Sequence, residues 1–103
     1  MTDRELLEAA AKAAGLQIYF DDVGQCCKHQ PREPLSTFLW NPLTDDGDAL
    51  RLAVQLKFEI IIGNLQTMVV RRGEAFSRIP YKKTDANVAT RRAIVMAAVD
   101  LTK

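Results

Sequence analysis

The sequence has few of the residues on which most enzyme sites and structural metal sites depend. Its 103 residues include one histidine, His29, and two cysteines, Cys26 and Cys27, which are adjacent. Zinc sites usually take four ligands in two spaced pairs, and this C-C-x-H segment has no second pair. We therefore expect no metal site within one chain, although a site shared between subunits stays open. The cysteines are expected to be free thiols in a reducing compartment.

Long apolar runs and nucleotide-binding glycine loops are also missing. No apolar run approaches the roughly 20 residues that span a bilayer, and the first 15 residues lack the apolar centre of a secretion signal. The G-x-x-x-x-G-K-[ST] and G-x-G-x-x-G patterns are absent, and neither Ser36 nor Ser77 lies in a G-x-S-x-G motif. We expect a cytoplasmic protein of one domain, residues 1–103, with no membrane contact, no cofactor and no catalytic residues.

Charge is nearly balanced overall but unevenly distributed. Residues 1–70 hold 6 Lys/Arg and 10 Asp/Glu, residues 71–103 hold 8 and 3, and the net charge is +1. Such an asymmetry can mark a face for an anionic partner, or folding can mix the charges. Strong binding to duplex DNA is disfavoured, because it needs several phosphates to be neutralised.

Apolar spacing and turn residues predict three helices and about four strands. Thr2 and Glu5 form a capping box before a helix over 3–14, and Gly15 ends it. Strands are expected over 16–20, 37–40, 58–63 and 65–72, with helices over 48–57 and from Thr84 or Asp85 onward, and with irregular chain over 25–36 and 73–83. The order α-β-β-α-β-β-α predicts an α+β domain in layers, with helices packed on one antiparallel sheet.

An acidic segment precedes the second helix. Thr44, Asp45, Asp46 and Asp48 surround Gly47 just before the apolar stripe begins. A calcium loop would need D-x-D-x-D-G and a distant Glu, and that order is absent. Helix starts favour a capping side-chain oxygen and carboxylates in the first turn, so we interpret the segment as a structural helix cap.

A basic and aromatic segment is the best candidate for ligand binding. The run RRGEAFSRIPYKK over 71–83 supplies guanidinium, ammonium and ring groups that suit phosphates and bases. The candidate ligand-binding residues are Arg71, Arg72, Arg78, Tyr81, Lys82 and Lys83. A solvated loop with its rings in the core is the alternative interpretation.

Three segments resemble a family of small proteins of tailed phages and prophages, the phage ABA-sandwich domain. They are TDRELLEAAAKAAGL, WNPLTDDGDALRLAVQL and TRRAIVMAAVDL, about half of the chain. The resemblance implies an α/β/α sandwich and an accessory phage role, with no catalytic residues to carry over. It also suggests that acids of 45–48 pair with Arg91 and Arg92 as architecture. The segment CCKHQPREP departs from the family pattern.

These observations favour a protein that acts by binding. The leading hypothesis is a non-catalytic phage accessory protein that counters a host defence system by sequestering a small anionic, nucleotide-type ligand in a homo-oligomer. The first alternative is an inhibitor that binds a host protein through residues 21–39. Nucleic-acid binding through 71–83 is a further alternative.

Overall fold

The computed structural model describes residues 2–29, 37–81 and 85–102. Within these ranges it has three helices and six strands. In chain order they are α1 (Asp3–Ala14), β1 (Ile18–Phe20), β2 (Cys26–His29), β3 (Thr37–Leu39), α2 (Asp46–Gln55), β4 (Glu59–Ile62), β5 (Gln66–Arg71), β6 (Glu74–Pro80) and α3 (Ala86–Asp100). The predicted α+β class is confirmed, and the order of helices and strand groups matches the prediction.

The helices begin and end close to where their capping signals predict. Thr2 and Glu5 form both hydrogen bonds of the capping box, and Gly15 ends α1 in the left-handed conformation at φ 70°. Asp85 caps α3, accepting from the backbone of Asn87 and Val88. Among the described residues, no helix is long and apolar enough to cross a membrane.

The first sheet contains a strand that the sequence did not indicate. β2 lies between β1 and β3 and is antiparallel to both. The prediction that 25–36 is entirely irregular is therefore wrong for 26–29, and β3 pairs with β2 and not with β1. The segment CCKH has no β-branched residue and no alternation of apolar and polar residues, which is why its composition did not predict a strand.

The second sheet has the order β4-β5-β6 and is also antiparallel. The prediction of irregular structure over 73–83 is wrong for 74–80. The two residues that join β5 to β6 are Arg72 at φ 53° and Gly73 at φ 82°, the positive values that a tight hairpin requires. A bulge then opposes Val69 and Val70 to Ser77 and Ala75, so Phe76 interrupts the alternation. Two three-stranded sheets thus replace the single sheet of about four strands.

Helix α3 lies at the centre of the molecule. It packs on β5 and β6 as well as on α1 and α2. A helix in contact on several sides must be apolar around most of its circumference. Its buried residues are Ala89, Ala93, Ile94, Val95, Ala97, Ala98 and Val99. The layering differs from the α/β/α sandwich implied by the resemblance, because α1 and α2 pack on α3 and not on the far face of the second sheet.

Side-chain hydroxyls join the second sheet to α3. Thr67 of β5 is fully buried, and its Oγ1 lies 2.8 Å from Oγ1 of Thr90 and 2.6 Å from the hydroxyl of Tyr81. Ser77 of β6 donates to the carbonyl of Ala93. Thr67 and Ser77 therefore lie on the face of the second sheet that packs against α3. The opposite face carries Ile61, which pairs with Met68.

The left-handed conformation of Arg72 provides a test of the hairpin. Arg72→Asn should raise the free energy of unfolding by about 0.5–1 kcal/mol, since asparagine tolerates a conformation that costs an ordinary residue ~1–2 kcal/mol. Urea unfolding followed by the fluorescence of the buried Trp40 measures the change. The control is Arg78→Asn within β6, which should not stabilise the protein. Destabilisation by Arg72→Asn would contradict the turn assignment.

Candidate functional site

The acidic segment starts helix α2, as its composition indicated. Asp45 is the N-cap, and its Oδ2 accepts from the backbone N–H of Asp48 at 2.8 Å. Thr44 does not cap the helix: its hydroxyl donates to the carbonyl of Asn41 at 3.5 Å. The helix begins at Asp46, two residues before the predicted start. The leading amides of α2 therefore meet a carboxylate at the position where the helix dipole favours one.

Asp48 is a buried carboxylate with two partners. It is 6 % exposed, it accepts the backbone N–H of Asn41 at 3.0 Å, and it accepts Nη2 of Arg51 at 2.7 Å. A buried carboxylate is stable only when such donors replace its water. Asp48 therefore fixes both the turn before α2 and the direction of the Arg51 guanidinium. That guanidinium also lies 3.9 Å from Asp45.

Acids and arginines pair across the domain, and the pairing suggested by the resemblance is found for Arg91 but not for Arg92. Arg91 of α3 contacts Asp46 and donates to the carbonyl of Leu43 at 3.0 Å. Arg92 lies 3.9 Å from Asp3 of α1 and does not reach the acids of 45–48. Both arginines attach α3 to the start of another helix. Their role in these contacts is architectural.

A cleft of about 520 Å³ opens beside the start of α2. Its volume is within the range of small-molecule and side-chain pockets. Leu7 and Cys26 belong to elements of the core, whereas Val23 and Leu39 are 79 % and 60 % exposed. The full lining is Leu7, Val23, Gly24, Gln25, Cys26, Leu39, Asn41, Thr44, Asp45, Asp48 and Arg51.

The cleft is electrostatically negative. Among the described residues that line it, Arg51 is the only cation, and it faces two carboxylates, Asp45 and Asp48. Burial, with smaller contributions from the nearby groups of Cys27, Glu8 and Asp48, raises the pKa of the Cys26 thiol to about 11. Each of these acids disfavours a further negative charge at the cleft floor. The cleft therefore suits a cationic or neutral group better than an anion.

The basic segment does not form one site in the described part of the chain. Arg71 donates from Nε to the carbonyl of Leu56, and Arg72 occupies the hairpin turn. Tyr81 lies at the opposite end of the hairpin, where its N–H donates to the carbonyl of Leu65. The two ends are roughly 20 Å apart, because a strand advances ~3.3 Å per residue.

The remaining predicted residues are also separated. Arg78 is exposed and donates to the sulfur of Met68, on the sheet face away from α3, whereas the hydroxyl of Tyr81 is bonded to Thr67. Lys82 and Lys83 lie outside the described residues, as does the side chain of His29. Within the described residues, no three His, Cys, Asp or Glu side chains are placed to hold a metal ion.

The sequence predicted the acids of the cleft only as a helix cap, and it did not predict the cleft. Its apolar side is formed by Leu7, Val23, Cys26 and Leu39, which come from α1, the β1–β2 turn, β2 and β3. The spacing of residues in a single sequence does not predict that four separate elements will meet at one site. The signal available in the sequence was an apolar residue, Val23, in the turn that follows Asp21. In the structure the carboxylate of Asp21 accepts the backbone N–H groups of Val23 and Gln25, and the side chain of Val23 is exposed.

Two matched substitutions test the difference between the buried and the exposed acid. Asp48→Ala leaves the Asn41 N–H and the Arg51 guanidinium without their acceptor, and should cost about 1–3 kcal/mol of unfolding free energy. Asp46→Ala removes a contact from a carboxylate that is 75 % exposed, and should cost at most about 1 kcal/mol. Urea unfolding of both variants measures the difference. Equal costs would contradict the structural role assigned to Asp48.

The thiol of Cys26 provides a pH test. With its pKa raised to about 11, almost no thiolate forms at pH 8, so the folded protein should resist iodoacetamide at Cys26. The folded state favours the neutral thiol, so this contribution to stability is present below pH 9 and is lost as pH rises toward about 11. Alkylation followed by peptide mass spectrometry checks the rate against protein unfolded in urea. Rapid alkylation of the folded protein would contradict the prediction.

Comparison with known proteins adds no relative to this description. No protein-family model, no curated protein and no solved structure matches the chain. The resemblance to the phage ABA-sandwich family is therefore carried only by the three segments quoted above. Those segments contain α1, α2 and all but the first turn of α3, and these three helices form most of the core.

Proposed function

We propose that the protein is a non-catalytic phage accessory protein that binds a host protein through the cleft beside α2. The occupant is a partner segment that presents a lysine or arginine next to apolar side chains. The observation that carries this proposal is the cleft itself, which is lined by the apolar residues Leu7, Val23, Cys26 and Leu39 together with the acids Asp45 and Asp48. This is the host-protein alternative of the sequence analysis, extended from residues 21–39 to include the start of α2.

Exposure at the cleft rim supports a protein partner. Val23 and Leu39 line the cleft and present most of their surface to solvent. Contiguous apolar surface with a polar rim is typical of protein-binding sites. A lysine or arginine side chain combines an aliphatic stem with a charged end, and so matches an apolar floor with carboxylates at one side.

The positions of the basic residues give less support to sequestration of a nucleotide. A nucleotide site would need several of Arg71, Arg72, Arg78 and Tyr81 around one volume, and these residues lie on opposite ends and faces of the β5–β6 hairpin. The cleft beside α2 has the wrong sign of charge for a phosphate. The host-protein hypothesis therefore takes first place, and nucleotide sequestration becomes the alternative to be tested.

The biological setting of the proposal rests on the phage resemblance. Accessory proteins of this kind act inside the infected bacterium, so we place the protein in the host cytoplasm, where it would counter a host defence protein. The free and buried thiols of Cys26 and Cys27 are compatible with a reducing compartment.

Selection from a peptide library tests the cleft. Peptides that bind the wild-type protein should be enriched in lysine or arginine beside leucine or aromatic residues, and their affinity should fall as salt increases. Val23→Lys should weaken a selected peptide at least tenfold, because it adds a cation to the apolar rim. Leu65→Lys is the matched control, since Leu65 is equally exposed, at 81 %, but lies in the β4–β5 turn.

A second variant isolates the charge of the cleft. Asp45→Asn keeps a good N-cap while removing one carboxylate, so it should weaken the selected peptides without unfolding the protein. Selection of acidic peptides, or affinity that neither Val23→Lys nor Asp45→Asn changes, would refute binding at this cleft. Calorimetry against linear and cyclic nucleotides tests the alternative: tight binding that Arg71→Ala or Arg78→Ala abolishes would favour nucleotide sequestration instead.

A further inference from the structure

Strand β4 is an open edge of the second sheet. It pairs with β5 on one side, and no other strand of the described chain pairs with it. The N–H of Gly63 donates to the carbonyl of Gln66 at 2.9 Å. This bond shows which residues of β4 direct their backbone N–H and C=O groups toward β5 and which direct them away from it. In an antiparallel pair, alternate residues bond to the neighbouring strand, so Ile61 faces β5 with its backbone groups, while Ile60 and Ile62 direct theirs outward.

The side chains of this edge are unusually apolar for a surface strand. The sequence Glu59-Ile60-Ile61-Ile62 has three consecutive isoleucines, of which Ile61 is 48 % and Ile62 is 66 % exposed. Edge strands of soluble proteins are commonly protected by charges, proline or a covering element. Here a single charge, Glu59, lies at one end of the strand. An edge of this kind is a template for another strand.

We propose that β4 pairs with β4 of a second copy of this chain, so that two sheets join into one of six strands. In the register we propose, the two strands are antiparallel about a two-fold axis through Ile61. Ile60 of each copy then lies opposite Ile62 of the other, and these are the two residues whose backbone groups point outward. The pairing forms four backbone hydrogen bonds, two for each Ile60–Ile62 pair.

Charge and backbone bonding favour this register over one centred on Ile60. Each Glu59 lies opposite Gly63 of the second copy, so the two Glu59 carboxylates are roughly 13 Å apart along the strands. A shift that centred the axis on Ile60 would place Phe58 opposite Ile62. The N–H of Phe58 already donates to the carbonyl of Ala53 at 3.0 Å and is not available for that pairing.

An apolar groove beside β4 adds contact area to the edge. Leu50 of α2, with 58 % of its surface exposed, lies across the groove from Ile60 and Ile62, and Ile94 of α3 lines it as well. Val54 follows Leu50 by one helical turn on the same face of α2. In the joined sheet, the two copies of α2 lie on the same face on either side of the axis, so these side chains come toward each other.

Disulfide formation tests the proposed register. Residues opposite each other at a pair without backbone bonds have Cα atoms about 4.5 Å apart, which is within the range that a disulfide spans. Under mild oxidation Ile61→Cys should form a covalent dimer in high yield, whereas Glu74→Cys, at an exposed residue of β6 on the opposite edge of the same sheet, should stay largely monomeric. Equal or absent cross-linking of the two variants would overturn the register.

Sedimentation tests the surface itself. The wild-type protein should sediment as a reversible dimer, and Ile61→Lys should raise the dimer dissociation constant at least tenfold, because two ammonium groups would meet at the axis. Val23→Lys is the control and should leave the dimer unchanged, although it is expected to weaken the peptide binding described above. A wild-type monomer at all concentrations, or a dimer that Ile61→Lys does not weaken, would overturn the proposal without affecting the proposed cleft.

Discussion

The burial of helix α3 is the constraint on which the rest of the structure depends. The helix is in contact with a sheet on one side and with α1 and α2 on the other, and Ala89, Ala93 and Ala97 are fully buried at intervals of four residues. Small side chains at that spacing allow neighbouring backbones to approach closely. Because most of the circumference of α3 is buried, the positions of α1, α2, β5 and β6 are set by how they pack against this helix.

Arg91 of α3 shows how this constraint reaches the cleft. Arg91 is only 15 % exposed and joins α3 to the carbonyl of Leu43 and to Asp46. That contact holds the chain just before α2, where Asn41 donates its N–H to Asp48 and Asp48 in turn holds Arg51. The polar side of the cleft is thus anchored in the core through a short series of hydrogen bonds. A rigid polar wall of this kind is what a specific binding site requires.

The helices could be predicted from the sequence, and two of the strands could not. Thr2, Gly15 and Asp85 mark helix ends through local hydrogen bonds and backbone conformation, which depend on nearby residues only. The strand over Cys26–His29 depends on partners on both sides, and that over Glu74–Pro80 is hidden by an arginine in the hairpin turn and by a bulge. Tertiary pairing decides such segments, and a single sequence does not show it.

The candidate site was predictable to a similar degree. The role of Asp45 as a cap follows from its place before an apolar stripe, whereas the pairing of Asp48 with Arg51 and the apolar wall from Leu7 to Leu39 depend on the fold. The basic segment illustrates the opposite case. Residues that are close in sequence, such as Arg72 and Tyr81, are carried to opposite ends of a hairpin once the segment becomes a strand.

The proline at the end of β6 limits how far the second sheet can extend. β6 is the edge opposite β4, and Pro80 lies in its last position, opposite Gln66. Proline has no N–H to offer to an incoming strand, and the neighbouring Arg78 places a charge on the same edge. If β4 pairs as proposed above, the second sheet has one paired edge and one edge blocked in this way, and it ends at the pair. Growth of this sheet into a fibre would need pairing at both of its edges.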